Sequence, residues 1–74
     1  MKYELLWIDS KTGTFYSNGA STKKELKEKL DYFVNVKGLK LNDTDRFDNI
    51  QVSKKIGNKY LILTEKEVLD EISY

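Results

Sequence analysis

The sequence predicts an α+β domain ordered β-β-α-β-β-α: a four-stranded, mainly antiparallel sheet with two helices packed on one face. Three observations predict it. Ser21–Val36 carries a helical apolar period behind a capping signal. Two pairs of short segments, apolar at alternate positions, flank glycine-bearing turns at Ser10–Gly13 and Gly57–Asn58. A second capping signal, Thr64 with Glu67 three residues later, opens another apolar stripe. The 74 residues make one small α+β domain, 1–74, with no room for a second core.

The first strand is expected over Lys2–Asp9. Tyr3, Leu5 and Trp7 fall on one face, Leu6 and Ile8 on the other, as in an interior strand at least partly covered on both sides. Ser10–Gly13 closes a hairpin, with Gly13 supplying a positive φ, and Thr14–Ser17 returns as the second strand. Phe15 and Tyr16 face opposite ways, which leaves one of them at the surface. Asn18-Gly19 then breaks the strand.

In the helix, Thr22 and Glu25 have capping-box spacing, and Leu26, Leu30, Phe33 and Val34 follow i, i+4, i+7, i+8. That stripe, about 100° wide, must bury against other elements. Lys24, Lys27, Glu28 and Asp31 lie off it, and Glu25 precedes Lys29 by four residues, the favourable order for an ion pair. Gly38 suits a left-handed C-terminal cap. Leu39, Leu41 and Phe47 are expected to anchor the polar stretch that follows, with one helical turn over Asp43–Phe47.

Ile50–Ile56 alternates, with Ile50, Val52 and Ile56 toward the core. A two-residue type II′ or I′ turn at Gly57-Asn58 sets Val52 opposite Leu63 and Lys54 opposite Leu61. Leu61 and Leu63 thereby join the buried face, while Tyr60 and Ile62 face out. Val68, Leu69 and Ile72 are the stripe of the last helix. The two halves repeat the same order of elements without matching residues.

Composition excludes several chemistries. With no cysteine and no histidine there are no disulfides, no thiolate nucleophile, no Cys/His zinc site and no imidazole base. Thirteen cations against 12 anions give no global basic field. Arg46 is the sole arginine, and bidentate phosphate clamps are normally built from arginine. The opening MKYELLWID is interrupted by Glu4 and Asp9, unlike a secretory leader or a membrane span. A cytoplasmic protein with no membrane partner is expected. Richness in Lys, Asn, Ile and Asp, with no Pro, Cys or His, points to a low-GC bacterium or a bacteriophage.

The acidic cluster Asp43, Asp45, Asp48 with Asn42 and Asn49 places oxygens at alternate positions, as calcium loops do. Counted from Asp43, Asp48 and Lys54 occupy the places where such a loop needs glycine and glutamate, so these residues read as turn formers. No metal, no cofactor and no catalytic residue is expected. The leading expectation is a small non-enzymatic protein-binding or regulatory protein, an inhibitor or accessory factor. It would engage another protein, or itself as a homo-oligomer, through a free sheet edge or the aromatic and apolar residues Trp7, Tyr16, Tyr32, Tyr60 and Ile62. The alternative is a nucleic-acid-binding module. Its contacts would be Lys23, Lys24 and Lys27 on the first helix and Lys54, Lys55 and Lys59 around the second hairpin, with Tyr60 as a stacking platform.

Overall fold

The computed structural model describes residues 2–41 and 47–73. Chain order is β1 (Tyr3–Ile8), β2 (Phe15–Ala20), α1 (Lys23–Asp31), a π-helical turn (Tyr32–Val36), β3 (Lys40–Leu41), β4 (Asn49–Ile56), β5 (Lys59–Ile62) and α2 (Glu65–Ile72). The fold is α+β. The sheet runs β2-β1-β4, and β3 and β5 share the far side of β4. All pairings are antiparallel except β3 with β4, where Lys40 and Leu41 lie beside Asn49 and Ile50 in parallel.

The sheet therefore has five strands and is mixed, where four were expected. The addition is small: buried Leu39 and core-packed Leu41 hold the segment against β4, and the Lys40 N–H donates to the Asp48 carbonyl at 3.0 Å. The rest repeats one pattern twice. Each half is a hairpin followed by a capped helix, and the two first strands, β1 and β4, meet antiparallel in the middle.

Local chemistry accounts for the boundaries. Gly13 (φ 71°) closes the first hairpin through its N–H to the Asp9 carbonyl at 2.7 Å. Strand β2 extends beyond Ser17, because Asn18 and Gly19 pair opposite Leu5 and Glu4. At α1 the Thr22 hydroxyl accepts from the Glu25 N–H at 3.1 Å, while the Glu25 carboxylate pairs with Lys29 at 3.3 Å. The helix expected to end near Val36 changes type at Tyr32. The Lys37 N–H donates to the Tyr32 carbonyl at 3.2 Å, an i to i+5 bond that fits one extra residue into the turn. Of the pair Gly57-Asn58 only Gly57 has a positive φ (62°), which makes the turn type II′. The capping box at α2 is complete: the Glu67 N–H reaches the Thr64 hydroxyl at 3.2 Å and the Thr64 N–H reaches the Glu67 carboxylate at 3.0 Å.

One face of the sheet carries the core. Tyr3, Leu5 and Trp7 of β1, with Ala20, Ile50, Val52 and Leu63, pack against Leu26, Leu30, Phe33, Leu39 and Val68. Burying each such Leu or Val contributes about 1.5–3 kcal/mol. Among the described residues no helix covers the other face, which presents Leu6, Ile8, Phe15, Gln51, Lys55, Tyr60 and Ile62.

Several expected core positions are corrected by how far the helices reach. Ile56 and Leu61 lie on the helix side, yet both are exposed, because the β4–β5 hairpin extends past α2. Leu69 is exposed, leaving Val68 buried and Ile72 half-buried as the stripe of α2. Phe47, expected as an anchor, is exposed, and Phe15 and Tyr16 are both exposed rather than one of them. Apart from Phe47, the turn expected over Asp43–Phe47 lies outside the described residues.

Candidate protein-binding surface

In an antiparallel ladder, alternate residues turn both backbone groups toward the same neighbour. The Asp9 N–H to Thr14 carbonyl bond, 2.9 Å, sets the phase for the first hairpin. Tyr16, Asn18 and Ala20 pair inward with Trp7, Leu5 and Tyr3, so Phe15, Ser17 and Gly19 turn their N–H and C=O groups outward. Strand β2 ends the sheet on that side. The Gly19 carbonyl accepts from Lys29 Nζ, which also donates to Asn18 Oδ1 at 2.7 Å, so α1 is fastened to this end of β2.

Exposed edges are ordinarily guarded by lysine, proline, a bulge or brevity. FYSNGA has six residues with no charge and no proline. The opposite side of the sheet is guarded on both counts: β3 is two residues long and begins with Lys40, while β5 begins with Lys59 and faces Lys54 and Lys55.

Above the same strand, aromatic rings run from the surface into the core and out again. Trp7, 9% exposed, stacks on Tyr16 with centroids 5.2 Å apart and planes 17° from parallel, and it meets Phe33 at 4.4 Å. Phe33 meets Tyr32 edge-on at 5.4 Å. Tyr16 and Tyr32 are 40% and 48% exposed. Of the residues expected at an interface, Trp7, Tyr16 and Tyr32 therefore come together, with Trp7 buried as the support. Tyr60 and Ile62 are exposed but lie on the helix-free face of β5, across β4 and β1 from β2. Phe15, 60% exposed beside Ser17, is exposed together with Tyr16, where the sequence left only one of the two at the surface. The signal for Phe15 was its place next to Tyr16 in a strand free of charge.

The lysines considered for nucleic acid divide between two sides of the sheet. Lys54 and Lys23 converge on Glu71 of α2, at 2.6 and 3.9 Å, and the Tyr3 hydroxyl donates to the same carboxylate at 2.6 Å. The bond from Lys54, followed by that from Tyr3, holds the Glu71 carboxyl below the usual glutamate range. Burial, reinforced by Glu71, pushes the Tyr3 phenol above its usual value. Lys24 and Lys27 are exposed on α1. Lys55 faces Tyr60 on the helix-free side, and Lys59 lies opposite Ile56 on the helix side.

The described residues also line two concavities. A groove of about 970 Å³ between α1, the π-helical turn and α2 is floored by Leu30, Val34, Leu39, Leu41, Leu69 and Ile72. A smaller polar cleft of about 260 Å³ lies between the first hairpin loop and Lys37. Asp48 borders it with φ 56° and accepts from the Ser10 N–H at 3.1 Å and from the Ser10 hydroxyl, which holds its carboxyl below the usual range. Asp48 thus ties the first loop to the start of β4, while Asn42, Asp43 and Asp45 lie outside the described residues. Among the described residues no cluster of three or more His, Cys, Asp or Glu is placed to hold a metal, and no helix is long and apolar enough to cross a membrane. The chain matches no protein-family model, no curated protein and no solved structure.

Proposed function

We propose that the chain is a small, non-enzymatic, cytoplasmic binding protein that takes an extended segment of a protein chain along β2. One observation carries this reading: β2 is a six-residue outer strand with the backbone groups of Phe15 and Ser17 turned outward and no charge or proline of its own. Strand addition uses such groups for affinity and the flanking side chains for selectivity. Here those side chains are Phe15 on the helix-free face and Tyr16, braced on Trp7, on the other.

The test is a random peptide library selected against the wild-type protein alone, with the selected binders then assayed against Ser17→Pro. The Ser17 N–H points away from β1, so proline there removes a donor from the edge and none from the ladder within the chain. Binders are expected to slow amide exchange at Phe15 and Ser17 and to lose the Ser17→Pro protein. Binders that keep their affinity for that variant would refute strand addition.

A second reading has its own observation. Lys55 lies opposite Tyr60 on the helix-free face, and its N–H donates to the Lys2 carbonyl at 2.8 Å, with the Lys2 ammonium 5.7 Å from the Tyr3 ring centroid. Bases could stack on Tyr60 and phosphates could pair with the lysines. Binding of mixed-sequence single-stranded DNA or RNA that falls steeply between 50 and 200 mM salt would favour it over strand addition.

A further inference from the structure

We infer that the segment taken by β2 is β2 of a second copy of this chain, paired antiparallel about a two-fold axis through Ser17; this rests on strand addition at that edge. The backbone phase makes the pairing self-complementary. With Ser17 facing Ser17, the outward N–H and C=O of one serine meet those of the other, and those of Phe15 meet Gly19 of the second copy. The Gly19 carbonyl, already held by Lys29, has a second lone pair for the Phe15 N–H. No other hydrogen-bonding register uses as much of Phe15–Ala20.

Charge selects this edge for self-pairing. A two-fold axis through Ser17 sets position 17 against its own copy and position 15 against 19, so a charge at 17 would meet itself. Strand β2 carries none of its own, the nearest being the Glu4 carboxylate on β1, which accepts from the Ser17 hydroxyl at 2.7 Å, whereas β3 and β5 carry Lys40 and Lys59. The side chains fit as well. Gly19 leaves bare backbone on the helix-free face, and Phe15 of the other copy lies over it, a cross-strand pairing that shields a glycine at an edge. Ser17 is small enough to sit against itself on the axis. Ile8 and Phe15 of each copy then share a cross-strand row with Gly19 and Glu4 of the other, on a sheet that runs unbroken through the pair.

The chain has no cysteine, so Ser17→Cys supplies a single thiol. Hydrogen-bonded antiparallel partners have Cα atoms about 5.5 Å apart, within reach of a disulfide. The experiment is sedimentation velocity over a concentration series of the wild type, Ser17→Pro and Ser17→Lys, with oxidation of Ser17→Cys timed against Asn58→Cys at the exposed β4–β5 turn. Expected are a wild-type dimer, at least about tenfold weaker association of Ser17→Pro and Ser17→Lys, and cross-linking at position 17 at least about tenfold faster than at 58. Two substitutions are used because the lysine, exposed in the monomer, keeps the test valid if the proline prevents folding. A monomer throughout, a dimer indifferent to both substitutions, or equal cross-linking rates would overturn the inference. If the wild type is a monomer whose library peptides still depend on Ser17, only the second copy is lost. If those peptides ignore Ser17, strand addition falls too.

Discussion

Removing the carboxylate of Glu71 should destabilise the fold by about 2–4 kcal/mol. Glu71 accepts from Lys54 Nζ and from the Tyr3 hydroxyl, each at 2.6 Å, and joins α2 to β4 and β1 at once. A hydrogen bond to a charged group is worth about 1.5–3 kcal/mol, and Lys54, with a side chain 26% exposed, recovers part of that from water. Tyr3 recovers none. It is fully buried, and a hydroxyl left without an acceptor costs about 1–3 kcal/mol. Lys23, at 3.9 Å and 42% exposed, adds less than about 1 kcal/mol. Against a total of about 4–11 kcal/mol for a domain of this length, the loss is large, and Tm should fall by roughly 8–30 °C. The assay is urea and thermal unfolding of Glu71→Ala, Glu71→Gln, Tyr3→Phe and the Tyr3→Phe/Glu71→Gln double variant, followed by circular dichroism and by fluorescence of the single tryptophan. A coupling of about 0.5–3 kcal/mol between Tyr3 and Glu71 is expected. Glu71→Ala within about 0.5 kcal/mol of wild type, or zero coupling, would refute the reasoning.

The same cluster sets the pH limits. Because the Glu71 carboxyl is held low in the fold, its contribution is fully present above the unfolded value near 4.3 and is lost as pH falls through the lower folded value. Glu71→Gln should therefore flatten the acid limb of a Tm–pH curve. The Tyr3 phenol is held high, so its contribution is complete below about pH 10 and is lost as pH rises through the folded value; Tyr3→Phe should flatten the alkaline limb. Thr64→Ala should cost about 1 kcal/mol, read from urea midpoints, since it opens a complete capping box. Gly57→Ala should cost about 1–2 kcal/mol from its positive φ alone, because a Cβ there meets nothing within 4 Å; an unchanged midpoint would show that the turn relaxes without loss.

What was legible in the sequence is what repeats or what a single residue type enforces. Leu26, Leu30 and Phe33 share a face over successive turns, and positive φ was readable at Gly13, Gly38 and Gly57. The capping box at Thr64 and the pairing of Lys54 with Leu61 were readable for the same reason. Strand β3 was not, since two residues are too few to show an alternation. Neither was the π-helical turn, whose period differs from that of an α-helix by less than one turn can reveal. Alternation also says that a strand has two faces without saying how far a helix covers either. Ile56 and Leu61 were therefore placed inside, and only one of Phe15 and Tyr16 was placed at the surface. Trp7 illustrates the converse: its alternation with Tyr3 and Leu5 was core-like, but the ring that covers it, Phe33, could be assigned only once the helix was docked.

The meeting of β1 with β4 has a kinetic consequence. Tyr3 pairs with Ala20 across a short hairpin, but with Lys54 across most of the chain. Everything else in the sheet except β3 and this seam is local: each half can form its hairpin and helix from neighbours in sequence. The slow event is then the closure of one long loop, whose entropy is lost before the seam returns any energy. Residues along the seam, Leu5 and Val52 among them, should govern the folding rate, whereas turns such as Gly57 can form early within their own half. In this sense the molecule is two self-starting halves and one zipper.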